Sequence, residues 1–173
     1  LTANRMVAER YYCDAERAPV PGASEPWRTL VHAMAISHDA VMGPDDVPVG
    51  DPTEVALALA ARAAGLERAA GERLTPRIAE LPFDSDRKCM TTVHRGADGS
   101  VLSITKGAAE VIVRKCAREL RSGGPWPADR AALAGAADIM AAEGLRVLGV
   151  AVRRWARLPA RVAWRPRRGP SPP

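Results

Sequence analysis

A predicted β-hairpin near the middle of the chain constrains the fold more than any other sequence feature. Residues 88–95 alternate small or apolar side chains with polar ones and are rich in Thr and Val, which is typical of a strand. Residues 96–99 (Gly-Ala-Asp-Gly) have turn chemistry, and residues 101–105 form a second short strand. Because the strands of a hairpin are antiparallel, folding about this turn brings Lys88 beside Lys106. The sequence therefore predicts two cationic side chains at one end of a hairpin.

The same end of the predicted hairpin has a ring and a bare backbone. Phe83, the only phenylalanine, precedes the first strand, and Gly107 follows Lys106. A glycine has no Cβ, so a flat or charged ligand can approach its backbone closely. A ring, two cations and an open backbone are what an adenine with phosphates requires. A lone Phe is usually a core residue, but the polar residues 84–87 favour a position at the rim of a site. Arg87 is expected to hold this loop by pairing with an acid.

A second clear local signal is the start of a helix ahead of the hairpin. Asp51 is a typical N-cap residue, Pro52 suits the first helical position and Glu54 suits the third. The helix is expected to stop at Gly65, a common residue just past a helix C-terminus. Two interpretations of Glu54 stand together: it can complete a capping box, and it can face a ligand at the rim of a pocket.

The rest of the chain alternates predicted helices and strands. A helix from Pro26 has an apolar stripe at helical spacing (Trp27, Leu30, Val31, Met34 and His38). The other predicted elements, in chain order, are an edge strand at 7–12, a loop at 14–22, a short helix within 66–76, a strand at 77–81, a helix with one face formed by Ala108, Val111, Ile112, Cys116 and Leu120, an alanine-rich helix at 129–143 and a buried strand at 145–152. This pattern predicts an α+β fold, in which a twisted, mainly antiparallel sheet is flanked by helices.

The positive charge of the chain is concentrated at its C-terminal end. Residues 153–173 hold seven arginines and no acid, and without them the formal charge of +5 becomes −2. The high pI therefore gives no reason to expect nucleic-acid binding by the body of the protein. We expect one domain at 1–152. The tail at 153–173, rich in Arg and Pro, is expected to be disordered or loosely attached, or an extension unrelated to the domain.

Other residue types exclude several classes of protein. The three cysteines and three histidines show no zinc-like spacing, so no metal site is expected, and reduced thiols in a cytosolic setting are the simplest interpretation. No apolar run approaches the ~20 residues that cross a bilayer. No signal peptide is visible.

Four ordered motifs in this chain resemble the nucleotide-binding (N) domain of P-type ATPases, and most of all its calcium-pump branch. They are Gly-Asp-Pro-Thr-Glu-Val-Ala-Leu (50–57), Phe-Asp-Ser-Asp-Arg-Lys-Cys-Met (83–90), Thr-Lys-Gly-Ala-Ala-Glu (105–110) and Gly-Leu-Arg-Val-Leu-Gly-Val-Ala (144–151). Ala109 stands where the family commonly has proline. Residues 1–7 resemble the strand just after the phosphorylation motif, so the phosphate-accepting aspartate is expected upstream of Leu1, and the chain is expected to be a fragment. The histidine-centred motif of the heavy-metal branch is absent.

The resemblance implies a role for each matching residue. Phe83 would stack on adenine, and Lys88 would lie near the base and the phosphates. Lys106 and Gly107 would form the back of the adenine pocket. Arg146 would reach the phosphates, and residues beside the nucleotide would include Thr53 and Glu54. No catalytic residue and no metal ligand is expected in this chain.

The function implied by the resemblance is ATP binding for a cation-transporting ATPase, with calcium as the favoured ion. The complete protein would be an integral membrane protein that uses ATP with Mg²⁺, and this domain would lie in the cytoplasm. Its partners would be the phosphorylation and actuator domains of the same pump. The domain would present ATP to an aspartate of its neighbour without hydrolysing it alone. Two alternatives are a nucleic-acid-binding module acting through the basic tail and a folded fragment with a non-functional pocket.

Overall fold

A five-stranded antiparallel sheet forms the centre of the protein. The computed structural model describes residues 6–44 and 47–158, and the backbone of residues 165–166. The sheet has the order β10-β7-β6-β5-β11. Its strands are β5 (Arg77–Asp84), β6 (Cys89–Arg95), β7 (Val101–Ala108), β10 (Leu148–Trp155) and β11 (Arg165–Pro166).

Five helices and three small ladders complete the described part of the chain. The helices are α1 (Trp27–Ile36), α2 (Pro52–Ala63), α3 (Arg68–Leu74), α4 (Ala109–Lys115) and α5 (Arg130–Ala142). The ladders are two-stranded and antiparallel: β1 (Tyr11–Cys13) with β2 (Glu16–Ala18), β3 (Val41–Met42) with β4 (Pro48–Val49), and β8 (Arg118–Arg121) with β9 (Gly124–Pro127). The predicted α+β class, with a mainly antiparallel sheet and flanking helices, is confirmed.

The predicted hairpin is confirmed as β6 and β7. Arg95 lies opposite Val101 beside the turn, and Cys89 lies opposite Gly107 at the far end. Turn chemistry explains the reversal: Gly99 has a positive φ of 80°, and the Ser100 N–H donates to the Asp98 carboxylate over 3.0 Å. Both strands are nearly buried along their length, which accounts for their Val, Ile and Thr content.

The main hydrophobic core lies between this sheet and the helices α1 and α2. Leu102 and Ile104 of β7 pack in one cluster with Met34 and Ile36 of α1 and Leu57 of α2. The stripe predicted for the first helix is therefore confirmed at Trp27, Val31 and Met34, all of which are buried. The helix ends at Ile36, so His38 is buried in the segment that follows rather than in the helix.

Several predicted elements differ from the structure. The helix after β7 ends at Lys115, so the prediction that Leu120 shares its face is wrong: Leu120 lies in β8 and pairs with Pro125. A turn that contains Gly124, at φ 109°, reverses the chain between β8 and β9. The apolar spacing used to predict the helix carries no information about this turn. The predicted loop at 14–22 contains β2, and the predicted edge strand at 7–12 is only β1.

The last strand begins later and extends further than expected. Residues 145–147 are not in a strand, and β10 reaches Trp155, so the expected boundary at 152 falls inside this strand. Arg165–Pro166 pairs with β5. The rest of the expected tail beyond residue 158 lies outside the described residues.

Gly107 is required by the sheet itself. A Cβ at this position would lie 2.2 Å from the Lys88 carbonyl oxygen and 2.7 Å from the Cys89 Cα, both backbone atoms of the neighbouring strand. We expect Gly107→Ala to lower the free energy of unfolding by about 3 kcal/mol, because this backbone cannot move without breaking the ladder. Urea unfolding of the chain measures the change.

Gly135 provides the matched control. It lies inside α5, and a Cβ built there meets nothing within 4 Å. Gly135→Ala should raise the free energy of unfolding by about 1 kcal/mol through helix propensity. An unchanged urea midpoint for Gly107→Ala would contradict the close approach of the two strands.

The buried His94 makes stability depend on pH. Its Nδ1 faces the Thr75 carbonyl oxygen at 3.1 Å and therefore donates, while Nε2 lies 2.9 Å from the Thr92 hydroxyl. Burial lowers the pKa of His94 to about 4. Between that value and its ordinary 6.5, the unfolded state binds more protons, so the free energy of unfolding should fall by up to about 3 kcal/mol as the pH drops.

Imidazole NMR during a pH titration tests this directly. The His94 ring signals should stay at their neutral positions down to about pH 5. His94→Gln should unfold with a shallower pH dependence than the unsubstituted chain. A ring that titrates near its ordinary value would contradict the buried neutral imidazole.

Candidate functional site

An ion pair between α2 and β7 lies at the centre of the candidate site. The Lys106 Nζ is 2.9 Å from the Glu54 Oε1, and it also donates to the Ser37 carbonyl oxygen over 2.5 Å. The lysine side chain is only 7% exposed and the glutamate side chain 15%. Burial lowers the pKa of Lys106, and the Glu54 carboxylate opposes that shift by stabilising the ammonium.

The local sequence positions Glu54 as predicted, but its carboxylate has another task. Asp51 is the N-cap of α2, and its Oδ1 accepts the N–H groups of Thr53 at 2.9 Å and Glu54 at 3.4 Å. The two oxygens of Glu54 bind Lys106 and the Asp39 N–H, the latter over 3.0 Å. The capping-box interpretation of Glu54 is therefore wrong, because its carboxylate points to neighbouring elements instead of back to the helix start.

The last residues of β5 present an exposed ring. Phe83 is 64% exposed, so it is not a core residue. The Asp84 carboxylate accepts the N–H groups of Asp86 and Arg87, each over 2.9 Å, which shapes a tight polar loop. Arg87 does hold this loop, but it donates to the carbonyl oxygens of Pro82 and Cys89 rather than to an acid.

The two lysines at the hairpin end have different environments. Lys106 lies opposite Met90, and the Lys88 carbonyl oxygen accepts the Ala108 N–H over 3.1 Å, so both lysines lie at one end of the hairpin as predicted. Lys106 is buried, whereas Lys88 is exposed in a left-handed conformation with φ 51°. The Gly107 backbone is not open on its Cβ side, because the strand of Lys88 fills that space.

Pairing across the sheet brings the remaining predicted residues to the same end. One row of paired residues crosses four strands there: Asp84, Cys89, Gly107 and Gly149. Phe83 precedes the first member of this row, and Arg146 precedes β10 by two residues. Arg146 is exposed and lies in the connection from α5, not at the strand start as predicted. Thr53 is half-buried in the first turn of α2, beside Glu54.

Sequence reasoning missed a second ion pair next to the first, formed by a buried arginine with more exposed carboxylates. The Arg77 side chain is 1% exposed, and its Nη1 donates to the Asp39 carboxylate over 2.6 Å. Its Nη2 donates to Glu80. A single arginine at the start of a strand with apolar residues was the available signal, since a buried guanidinium requires a carboxylate.

The buried His38 lies between Ser37, which contacts Lys106, and Asp39, which contacts Arg77. Its Nδ1 has no hydrogen-bond partner in the described part of the protein. Burial is the main cause that lowers the pKa of His38 to about 4, and the nearby charges of Arg68 and Lys106 contribute to this shift. The imidazole is therefore neutral near pH 7 and adds no charge to the site.

Residues 6–44 and 47–158 offer neither a cluster of metal ligands nor a helix that could span a membrane. No group of three or more His, Cys, Asp or Glu side chains there could hold a metal ion. Of the helices in these ranges, none combines the length and apolar composition needed to cross a bilayer.

Comparison with known proteins identifies the family. The profile of the family described as "P-type ATPase, cytoplasmic domain N" matches residues 26–163. A "Calcium-transporting ATPase 1" of Bacillus cereus is 35% identical over 161 residues, 90% of this chain and 18% of the relative. A "Probable cation-transporting ATPase F" of Mycobacterium bovis is 39% identical over 142 residues, 79% of this chain and 16% of the relative. A calcium-transporting ATPase of Listeria monocytogenes is 30% identical, covering 89% of this chain and 18% of its own length.

These matches cover most of this chain and less than a fifth of each relative. The family match runs through the hairpin, the Glu54–Lys106 pair and β10, and reaches past the expected domain boundary at 152. The chain therefore belongs to the family of the cytoplasmic N domain of cation-transporting P-type ATPases.

Proposed function

We propose that this domain binds ATP at the end of the central sheet where Phe83, Lys88 and the Glu54–Lys106 pair lie. The observation that supports this most strongly is the buried pair itself, at the same end of the sheet as an exposed aromatic ring. Burying an ammonium and a carboxylate costs free energy that well-packed apolar residues would avoid. An exposed Phe likewise gains little from folding. Both features are explained if a flat, charged ligand covers this end of the sheet.

Each predicted residue has a role in the proposed complex. The Phe83 ring stacks on the adenine, and the exposed Lys88 ammonium lies near the base and the phosphates. Lys106 and Gly107 form the back of the pocket, while Thr53 and Glu54 line its side. Arg146, exposed at the same end of the sheet, contacts the phosphates, where a guanidinium can bind two oxygens at once.

In the complete protein we propose that this domain presents ATP to a neighbouring domain. The γ-phosphate would pass to an aspartate of the phosphorylation domain, and the actuator domain would be a further partner. Magnesium offsets the phosphate charge in such transfers, and its protein ligands would lie outside this chain. The names of the relatives favour calcium as the transported ion of an integral membrane pump. The domain alone binds nucleotide without hydrolysing it.

Isothermal titration of the 173-residue chain with ATP tests the proposal through Phe83→Ala. Loss of a base–aromatic stack worth about 1–3 kcal/mol should weaken ATP binding by roughly 5- to 150-fold. Because the ring is 64% exposed, the free energy of unfolding should hardly change. The adenine stack is also expected to be lost for ADP and adenosine.

Trp126→Ala is the matched control. Trp126 is 54% exposed and lies in β9, outside the central sheet, so its removal should leave ATP affinity unchanged. Equal affinities for the Phe83→Ala chain and the unsubstituted chain would contradict the stack. If the folded chain does not bind ATP at millimolar concentration, the pocket is non-functional and the proposal is wrong.

A further inference from the structure

A buried arginine with two carboxylate partners lies behind the Glu54–Lys106 pair. Arg77 is the first residue of β5. Its guanidinium donates to the carboxylate of Asp39 through Nη1 and to that of Glu80 through Nη2. One carboxylate is enough to neutralise one guanidinium, so the second ion pair is not needed for charge balance alone. The two partners differ in what else they contact.

Asp39 connects Arg77 to the candidate site. Its carboxylate accepts from Arg77 over 2.6 Å, and its backbone N–H donates to the Glu54 Oε2 over 3.0 Å. Two residues earlier, the Ser37 carbonyl oxygen accepts from Lys106. The segment 37–39 therefore supplies a backbone contact to each member of the buried pair, while the Asp39 side chain attaches the segment to β5.

Further contacts hold the following residue. The Arg68 Nη1 donates to the Ala40 carbonyl oxygen over 3.3 Å. A Cβ on Gly50 would lie 3.1 Å from the Ala40 Cα, so the backbone of the β4–α2 connection packs closely on this residue. The segment thus has a fixed place between α2, α3 and β5.

We propose that Arg77, acting through Asp39, is a positioning residue that sets the orientation of Glu54 and Lys106 for nucleotide binding. This inference rests on the proposed function. A lysine ammonium is a point charge on a flexible four-carbon stem, so its position depends on the groups that accept its hydrogens. Partners one step removed from a ligand orient the groups that touch it. Arg77 contacts no ligand in this arrangement.

The chain offers a matched pair of substitutions, Asp39→Ala and Glu80→Ala. Each removes one negative charge and one of the two carboxylates bound to Arg77. The Asp39 side chain is 58% exposed and the Glu80 side chain 26%, so neither substitution opens the core. Of these two acids, only Asp39 is also hydrogen-bonded to Glu54 in the described part of the chain, through its backbone N–H.

Titration with ATP should separate the two variants. Asp39→Ala should weaken binding about tenfold, in the lower part of the range for partners of ligand-binding groups, and Glu80→Ala should bind as the unsubstituted chain does. Removal of an acid near a polyanion would by charge alone strengthen binding. Weaker binding by Asp39→Ala therefore has the sign opposite to the charge effect, as lost positioning predicts.

The ¹⁵N resonance of the Lys106 ammonium, recorded without nucleotide, gives a readout that general destabilisation would not move. It should shift in Asp39→Ala and keep its position in Glu80→Ala. Equal ATP affinities in the two variants, or an unmoved Lys106 signal in Asp39→Ala, would overturn the positioning role. If the unsubstituted chain fails to bind ATP, the proposed function fails and the inference fails with it. The ATP titration of the unsubstituted chain separates the two cases. No binding there means that the proposed function fails, whereas binding there with equal affinities in the two variants means that only the positioning role fails.

Discussion

The ion pair between Glu54 and Lys106 joins the helical layer to the sheet. Lys106 lies on β7 two residues after Ile104, and within the described part of the chain its hydrogens are accepted by Glu54 and the Ser37 carbonyl oxygen. A buried ammonium without a partner would cost several kcal/mol. The position of α2 relative to the sheet is therefore coupled to the charge balance of this pair, and through it to the segment after α1.

This coupling explains why the candidate site is built from distant parts of the chain. The N-cap of α2 fixes where Glu54 begins, and the register of β6 on β7 fixes where Lys106 emerges. Phe83 lies at the end of β5, beside the turn that the Asp84 carboxylate stabilises. Each local feature is ordinary for its element. These features lie close together because one row of paired residues crosses β5, β6, β7 and β10 at this end of the sheet.

Sequence reasoning succeeded where the signal is local. The hairpin turn, the Asp51 cap and the apolar stripe of α1 depend on neighbouring residues, and all three are present in the structure. It failed where tertiary contacts decide. The task of the Glu54 carboxylate is set by residues 15 and 52 positions away, which no helix-capping pattern can show. The sequence suggested that a ligand could approach the Gly107 backbone, but the space that a Cβ would fill is occupied by the backbone of Lys88 and Cys89. The position of Arg77 at the start of a strand suggests burial, but its partner Asp39 lies 38 positions away and has no local signal.

Family membership and site geometry support one central claim, that ATP binds at the end of the sheet that carries the exposed Phe83 and the buried Glu54–Lys106 pair. Two-dimensional amide NMR during an ATP titration of the chain tests this claim most directly. The claim predicts shift changes clustered at Glu54, Phe83, Lys88, Lys106 and Arg146, with the β8–β9 ladder unaffected. A well-dispersed spectrum that does not respond to ATP, or changes clustered elsewhere on the domain, would contradict it.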